Sequence, residues 1–280
     1  MNRQVEKVIT GMPATDGAGV ELVRVIGQPQ MNMLDPFLLL DVFRSDNPND
    51  YIAGFPPHPH RGFETVTYLL NGKMRHKDNA GHEGVIEPGG IQWMKAGKGI
   101  VHSEMPEQQD GLLQGFQLWV NLPGSHKMDE PEYQEFSDSQ IPVEHRADDV
   151  EVRVITGTTS HGTSGPVYQP LTEPLYLDVR MKQGVAFDES LSAEHNALLF
   201  VVSGSVEVGD ADLTMVSADQ MAVLSPGDLL NIRAVEEETH FLLIAGKPIN
   251  EPVSRGGPFV MNTREEIDQA FLDYRNGVMG

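Results

Sequence analysis

The stretch HPHRGFETVTYLLNG, residues 58–72, decides how this chain is read. Its second half, Glu64–Leu70, is rich in Thr, Val, Tyr and Leu and is closed by Asn71-Gly72, a strand followed by a hairpin turn signal. Its first half carries His58 and His60 two residues apart, so in an extended backbone both imidazoles leave the same face. Further along, His102-Ser103-Glu104 repeats the spacing. Two such pairs on facing strands aim three imidazoles and a carboxylate at one point, a donor set for a divalent metal.

The surrounding sequence reads as more strands of the same kind. Val20–Ile26, Phe37–Val42, Gly84–Ile86, Gly90–Lys95, Gly115–Val120, Val150–Thr156, Leu175–Val179, Ala197–Val202, Met221–Leu224 and His240–Ile244 are short and apolar. They are separated by turns such as Pro88-Gly89-Gly90 and Pro226-Gly227-Asp228. Many short strands predict sandwiches or barrels rather than alternating strand and helix. One helix is expected at the end, where Thr263-Arg264-Glu265-Glu266 forms a capping box ahead of the stripe Ile267, Ala270, Phe271 and Tyr274, with Gly277 placed to stop it.

Composition narrows the chemistry. With 280 residues there is room for two domains, and with no cysteine a metal must be held by nitrogen and oxygen. A formal charge of −21 makes direct nucleic-acid binding and attachment to anionic membranes unfavourable. No signal-like leader or continuous apolar span is present, so a cytoplasmic location is expected.

The two halves look like a diverged duplication. Tyr68–Gly72 matches Phe200–Gly204 at an offset of 132, and Pro88-Gly89 matches Pro226-Gly227 at 138. At these offsets His58 and His60 fall on Ser190 and Ser192, His102 on His240 and Glu104 on Leu242. The reading is therefore a metal-binding domain over 1–130, a polar linker over 131–149 and a metal-free copy with the helix over 150–280.

Four segments in order, HPHRGFETVTYLL (58–70), KAGKGIVHSE (95–104), QLWVNLP (117–123) and GPFVMNTREEIDQA (257–270), resemble the pirin family of the cupin superfamily. That resemblance implies an all-β bicupin: two jelly-roll β-barrel domains packed face to face, with a short C-terminal helix. It implies one metal in the first barrel, most often iron as Fe2+, on His58, His60, His102 and Glu104. The donor set itself also suits Mn, Co, Ni, Cu or Zn. General cupins use a glutamate nearer the first pair, where Glu64 stands here; the resemblance favours Glu104 as ligand and catalytic carboxylate, with Glu64 orienting a ligand. Phe55, Met94 and Phe116 are expected to line the pocket.

Two functions follow from the resemblance. The first is a quercetin 2,3-dioxygenase-like oxidoreductase, a quercetinase that opens a flavonol with O2. The second is an iron-dependent, redox-sensing regulator acting through a protein partner. A monomer is expected, since two fused barrels already pair internally. His76, His82, His126, His145 and His161 sit in polar contexts that predict solvation, His195 and His240 are read as core or interface residues, and Trp93 and Trp119 as packing residues.

Overall fold

The computed structural model describes residues 1–146 and 149–279, so positions 147–148 at the end of the expected linker and residue 280 lie outside the described residues. The chain forms two compact units. One comprises Met12–Gln28, Phe37–Asp138 and Ile249–Gly280; the other comprises Met1–Gly11, Pro29–Pro36 and Ser139–Pro248.

The first of these holds a seven-stranded sheet in the order Glu132–Phe136, Ile91–Lys95, Phe63–Asn71, Leu113–Asn121, Phe37–Ser45, Val20–Ile26 and Met12–Asp16. A four-stranded sheet runs Phe55–His60, Ile100–Pro106, Met74–Asp78 and Glu83–Ile86. All pairings are antiparallel. Val20, Leu22 and Phe43 from the large sheet pack with Met74 and Ile86 from the small one, which closes the sandwich over an apolar core. The helix Arg264–Arg275 forms as its capping box dictates and buries Ile267 and Ala270 against Phe259 and Met261 of the hairpin Ser254–Gly256/Phe259–Met261.

The other unit repeats this order. Its large sheet runs Val5–Thr10, Gln220–Leu224, Asn196–Ser203, Glu238–Gly246, Leu175–Lys182, Val150–Thr156 and Val143–Arg146; its small sheet runs Ala186–Ser190, Leu229–Ala234, Ser205–Val208 and Thr214–Ser217. The fold is thus all-β with two cupin-type units and one C-terminal helix, as the sequence led us to expect.

Three details depart from the sequence reading. Contacts group residues 1–11 with the later strands, because Val5–Thr10 pairs with Gln220–Leu224, and group the C-terminal hairpin and helix with the earlier ones. The polar stretch after 130 contributes edge strands: Glu132–Phe136 pairs with Ile91–Lys95, and Val143–Arg146 with Val150–Thr156. Edge strands keep one side in water, which is why their sequence looked like a linker.

The third departure concerns the internal repeat. Glu104 pairs with His76, four residues after Gly72; four residues after Gly204 stands Val208, which pairs with Ile232. The counterpart of Glu104 is therefore Ile232, and that of His102 is Leu230. His102 faces His58 and Leu230 faces Glu189, so His58 corresponds to Glu189 and His60 to Leu191. His240 lies one strand further on, in Glu238–Gly246, which occupies the place of Leu113–Asn121. The match of Pro88-Gly89 to Pro226-Gly227 misled the offset: the first turn precedes Ile91–Lys95, whereas the second follows that strand's counterpart, Gln220–Leu224.

Candidate metal centre

His58 and His60 sit on Phe55–His60, an edge strand whose sequence FPPHPH contains three prolines. Proline gives up its ladder donor and is tolerated at such an edge, while its fixed φ stiffens the backbone carrying both imidazoles. Strand Ile100–Pro106 runs alongside, with Ile100 opposite His60 and His102 opposite His58. The donor nitrogens of His58, His60 and His102 all lie within 4.8 Å of one another. Their rings stand 4.5 to 5.1 Å apart, centroid to centroid.

The hydrogen bonds behind the rings fix which nitrogen is available. His58 Nδ1 lies 2.9 Å from the Pro56 carbonyl oxygen, and His60 Nδ1 lies 3.4 Å from that of Pro258. A carbonyl only accepts, so each Nδ1 carries the proton and each Nε2 presents a lone pair. Those two Nε2 atoms are 3.0 Å apart. Two lone pairs at that distance repel unless a cation lies between them. Nitrogens bound to one ion at about 2.1 Å and at a right angle would be separated by about this distance. His102 is buried, and neither of its ring nitrogens has a hydrogen-bond partner. Burial pushes the His60 imidazolium well below its usual range, and burial, partly opposed by Glu104, pushes His102 down to about 4. Near neutral pH both rings are in the uncharged form that ligates. The residues therefore fit a divalent transition metal.

Glu104 follows His102 on the same face, with Oε2 at 3.9 Å from His102 Nε2, somewhat outside the tight group of imidazoles. Its Oε1 is held by the Thr67 hydroxyl at 2.9 Å, and Thr67 also lies 2.7 Å from the Gln117 side-chain amide. The Gln117 atom is its amide oxygen, so two acceptors compete for the one hydroxyl proton, and the charged carboxylate is the stronger of them. Oε2 is then left toward the imidazoles. The loop at Gly62 is built for close approach: its φ is +88°, and a Cβ there would meet the Val260 carbonyl oxygen at 2.0 Å. Beneath it, buried Lys127 donates to the carbonyls of Gly62 and Val260 and to Asn121 Oδ1, at 2.7, 3.1 and 2.6 Å.

A cavity of about 690 Å³ opens onto His58, His60 and Glu104. Thr67, Gln117 and Trp119 form part of its wall, with the Trp119 ring 5.2 Å from His60 and 4.3 Å from Phe63. Of the three expected pocket residues, Phe55 lines the cavity. Phe116 is one residue out of phase with Gln117 and Trp119; it stacks on Tyr68 on the other face of the sheet. Met94 packs with Ala96, Ile100 and Tyr133 away from the cavity. Glu64 is three residues from Thr67 and so occupies the face opposite the imidazoles.

Other expectations also shift. His76 is buried rather than solvated, its Nε2 2.6 Å from Glu135, because it belongs to the strand beside Glu104. His82, His145 and His161 are exposed, and His126 is half-buried beside Asp129. His240 is satisfied by Asp178 at 2.6 Å. Thr67, Gln117 and the cavity-lining Arg24–Asp41 pair belong to no motif, and only the alternation along their strands could have placed them. No helix among the described residues is long and apolar enough to cross a membrane.

Comparison with known proteins points the same way. A family model described as pirin matches residues 19–120, and one described as the pirin C-terminal cupin domain matches 176–280. A pirin-like protein of Caulobacter vibrioides is 53% identical over 98% of both chains. Human pirin is 43% identical, covering 100% of this chain and 94% of its own. The crystal structure of a quercetin 2,3-dioxygenase from Acinetobacter baumannii superposes with a TM-score of 0.91 at 32% identity, covering 100% of this chain and 99% of that one.

Proposed function

We propose, from the premise that this chain belongs to the pirin family, that it is a metal-dependent dioxygenase that opens a flavonol such as quercetin with O2. The observation that carries the reading is the convergence of three imidazoles, two with Nδ1 committed to carbonyl oxygens, at the floor of a cavity with an aromatic wall. The likeness to a quercetin 2,3-dioxygenase over the whole chain supports the choice of reaction.

In this reading His58, His60, His102 and Glu104 hold one divalent transition metal, most simply Fe2+. Bound there, the metal supplies a Lewis acid, a redox partner for dioxygen and open positions for ligands. The protein's own contribution is orientation and proton handling. Pro56 and Pro258 keep both Nε2 lone pairs directed inward. Thr67 restrains one oxygen of Glu104, leaving the other to accept the proton of the substrate hydroxyl. Phe63 and Trp119 cover His60 and keep water off its ring.

Oxygen uptake tests the proposal. Iron-reconstituted protein should consume O2 in step with loss of quercetin absorbance, and His102→Ala should abolish both metal retention and uptake. A metal-replete wild type that consumes no oxygen with quercetin, beside an active control, refutes the dioxygenase reading.

A further inference from the structure

The cavity wall carries two arginines in very different states. Arg24 is fully engaged: its Nε and Nη2 grip the two oxygens of buried Asp41 at 2.9 and 2.7 Å, and Nη2 also reaches Asp16 at 2.8 Å. Arg255 has no such partner. Its Nη2 donates to the Leu38 carbonyl oxygen at 2.8 Å, and its Nε is buried with nothing to bond. Among the described residues no carboxylate forms an ion pair with it, and burial acts unopposed to push its pKa down.

This is an expensive arrangement. A half-buried guanidinium with an unsatisfied N–H costs stability, and the usual remedy is a carboxylate. The chain has 41 acidic residues against 20 basic ones, so a partner was not hard to supply. Arg255 also sits close to the imidazoles. It lies on the hairpin strand Ser254–Gly256, three residues before Pro258, whose carbonyl oxygen receives His60 Nδ1. Three residues of chain span at most about 10 Å, roughly the length of a one- or two-ring aromatic molecule.

We propose that Arg255 is the anchor for an anionic oxygen group, so that the substrate class of this site is an aromatic acid: hydroxyl oxygens toward His58, His60 and His102, and a carboxylate on Arg255. The inference rests on the metal-centre reading above but not on the choice of a flavonol, which carries no carboxylate. Arg255 lines the cavity, and the terminal Nη1–Nη2 edge of its planar guanidinium matches a carboxylate in two parallel bonds, since Leu38 takes only one of the Nη2 protons. Phe55 and Trp119 supply apolar wall for the ring between the two polar ends.

Binding to zinc-substituted protein, which has no redox chemistry, tests this without turnover. Protocatechuate, its neutral carboxamide and catechol share the same pair of hydroxyls. By calorimetry the wild type should bind protocatechuate about tenfold or more tighter than the carboxamide or catechol. Arg255→Gln keeps a donor for the Leu38 carbonyl but no charge, and should bring the ratio near one; Arg255→Lys should keep part of it. The ratio is taken within each protein, so general loosening divides out, and the comparison of acid with carboxamide needs no variant. Equal affinity for acid and carboxamide in the wild type, no binding of the acid, or an unchanged ratio in Arg255→Gln each overturns the proposal. Failure of oxygen uptake with quercetin would leave this ratio untouched, so the two readings fail separately.

Discussion

Replacing Thr67 with valine removes one hydroxyl and almost no volume from a buried position. That hydroxyl lies 2.9 Å from Glu104 Oε1, where a charged acceptor would lose its donor. A hydrogen bond to a charged group is worth about 1.5–3 kcal/mol, and restraint of a ligating carboxylate from behind typically changes metal affinity 10–100-fold. The two figures agree, since a factor of ten is about 1.4 kcal/mol. Thr67→Val should therefore weaken metal binding about 10–100-fold in competition with a chromogenic chelator. Thr67→Ser, which restores a donor, should recover most of the loss. Glu64→Gln supplies the contrast: Glu64 is on the opposite face, and its affinity should stay within about twofold of wild type. If Thr67→Val binds metal as tightly as wild type, or if Glu64→Gln loses more than Thr67→Val, the assignment of Glu104 over Glu64 is wrong.

Three further outcomes follow from buried charges. Lys127→Met should lower the melting temperature markedly, because three acceptors lose their donor at about 1–3 kcal/mol each. The same lysine has its pKa pushed down to about 8 by burial, whereas an unfolded lysine titrates near 10.4. Between those values the unfolded chain binds more protons, so the stability of wild type relative to Lys127→Met should rise from about pH 8 to about pH 10 in urea titrations; a flat or falling difference contradicts it. In the other unit, Arg146→Met would strand fully buried Glu189 without its partner and should cost about 3–5 kcal/mol by denaturant unfolding, with metal content unchanged.

Parity along a strand made part of this site legible and failed at identifiable places. His102 and Glu104 share one uninterrupted strand, so their spacing read correctly. Glu64 also stands an even number of residues from His60, but the chain leaves one sheet after His60, turns at Gly62 with positive φ, and enters the other at Phe63. Alternation does not carry across that turn. Phe116 and Gln117 are neighbours on one strand, which presents only one of the two to the cavity, and that one is Gln117. Thr67 and Arg255 were invisible for another reason. Their roles depend on partners 37 and 217 residues away, and no local pattern encodes those pairings.

The repeat shows what stands in the other unit where the imidazole cluster stands in this one. At the positions of His60, His102 and Glu104 the other unit carries Leu191, Leu230 and Ile232, all within its continuous apolar core. Where His58 would stand, Glu189 is fully buried and held by Arg146, which also grips Glu144 and lies over the Phe187 ring at 4.7 Å. Three of four polar side chains have become hydrocarbon, and the fourth is neutralised by an arginine from the edge strand Val143–Arg146. These four positions are stable without a ligand, because apolar burial serves three of them and a hydrogen-bonded ion pair serves the fourth. The metal-centre unit makes the opposite choice: orphaned His102 nitrogens and opposed His58 and His60 lone pairs are unfavourable alone and become favourable only around a cation. Metal removal should therefore lower the melting temperature of the chain, while leaving the unit built on Leu230 and Glu189 to unfold at its own, metal-independent temperature. Calorimetric scans with and without chelator resolve this, and a single transition that is insensitive to chelator would show that the imidazole cluster does not need an ion.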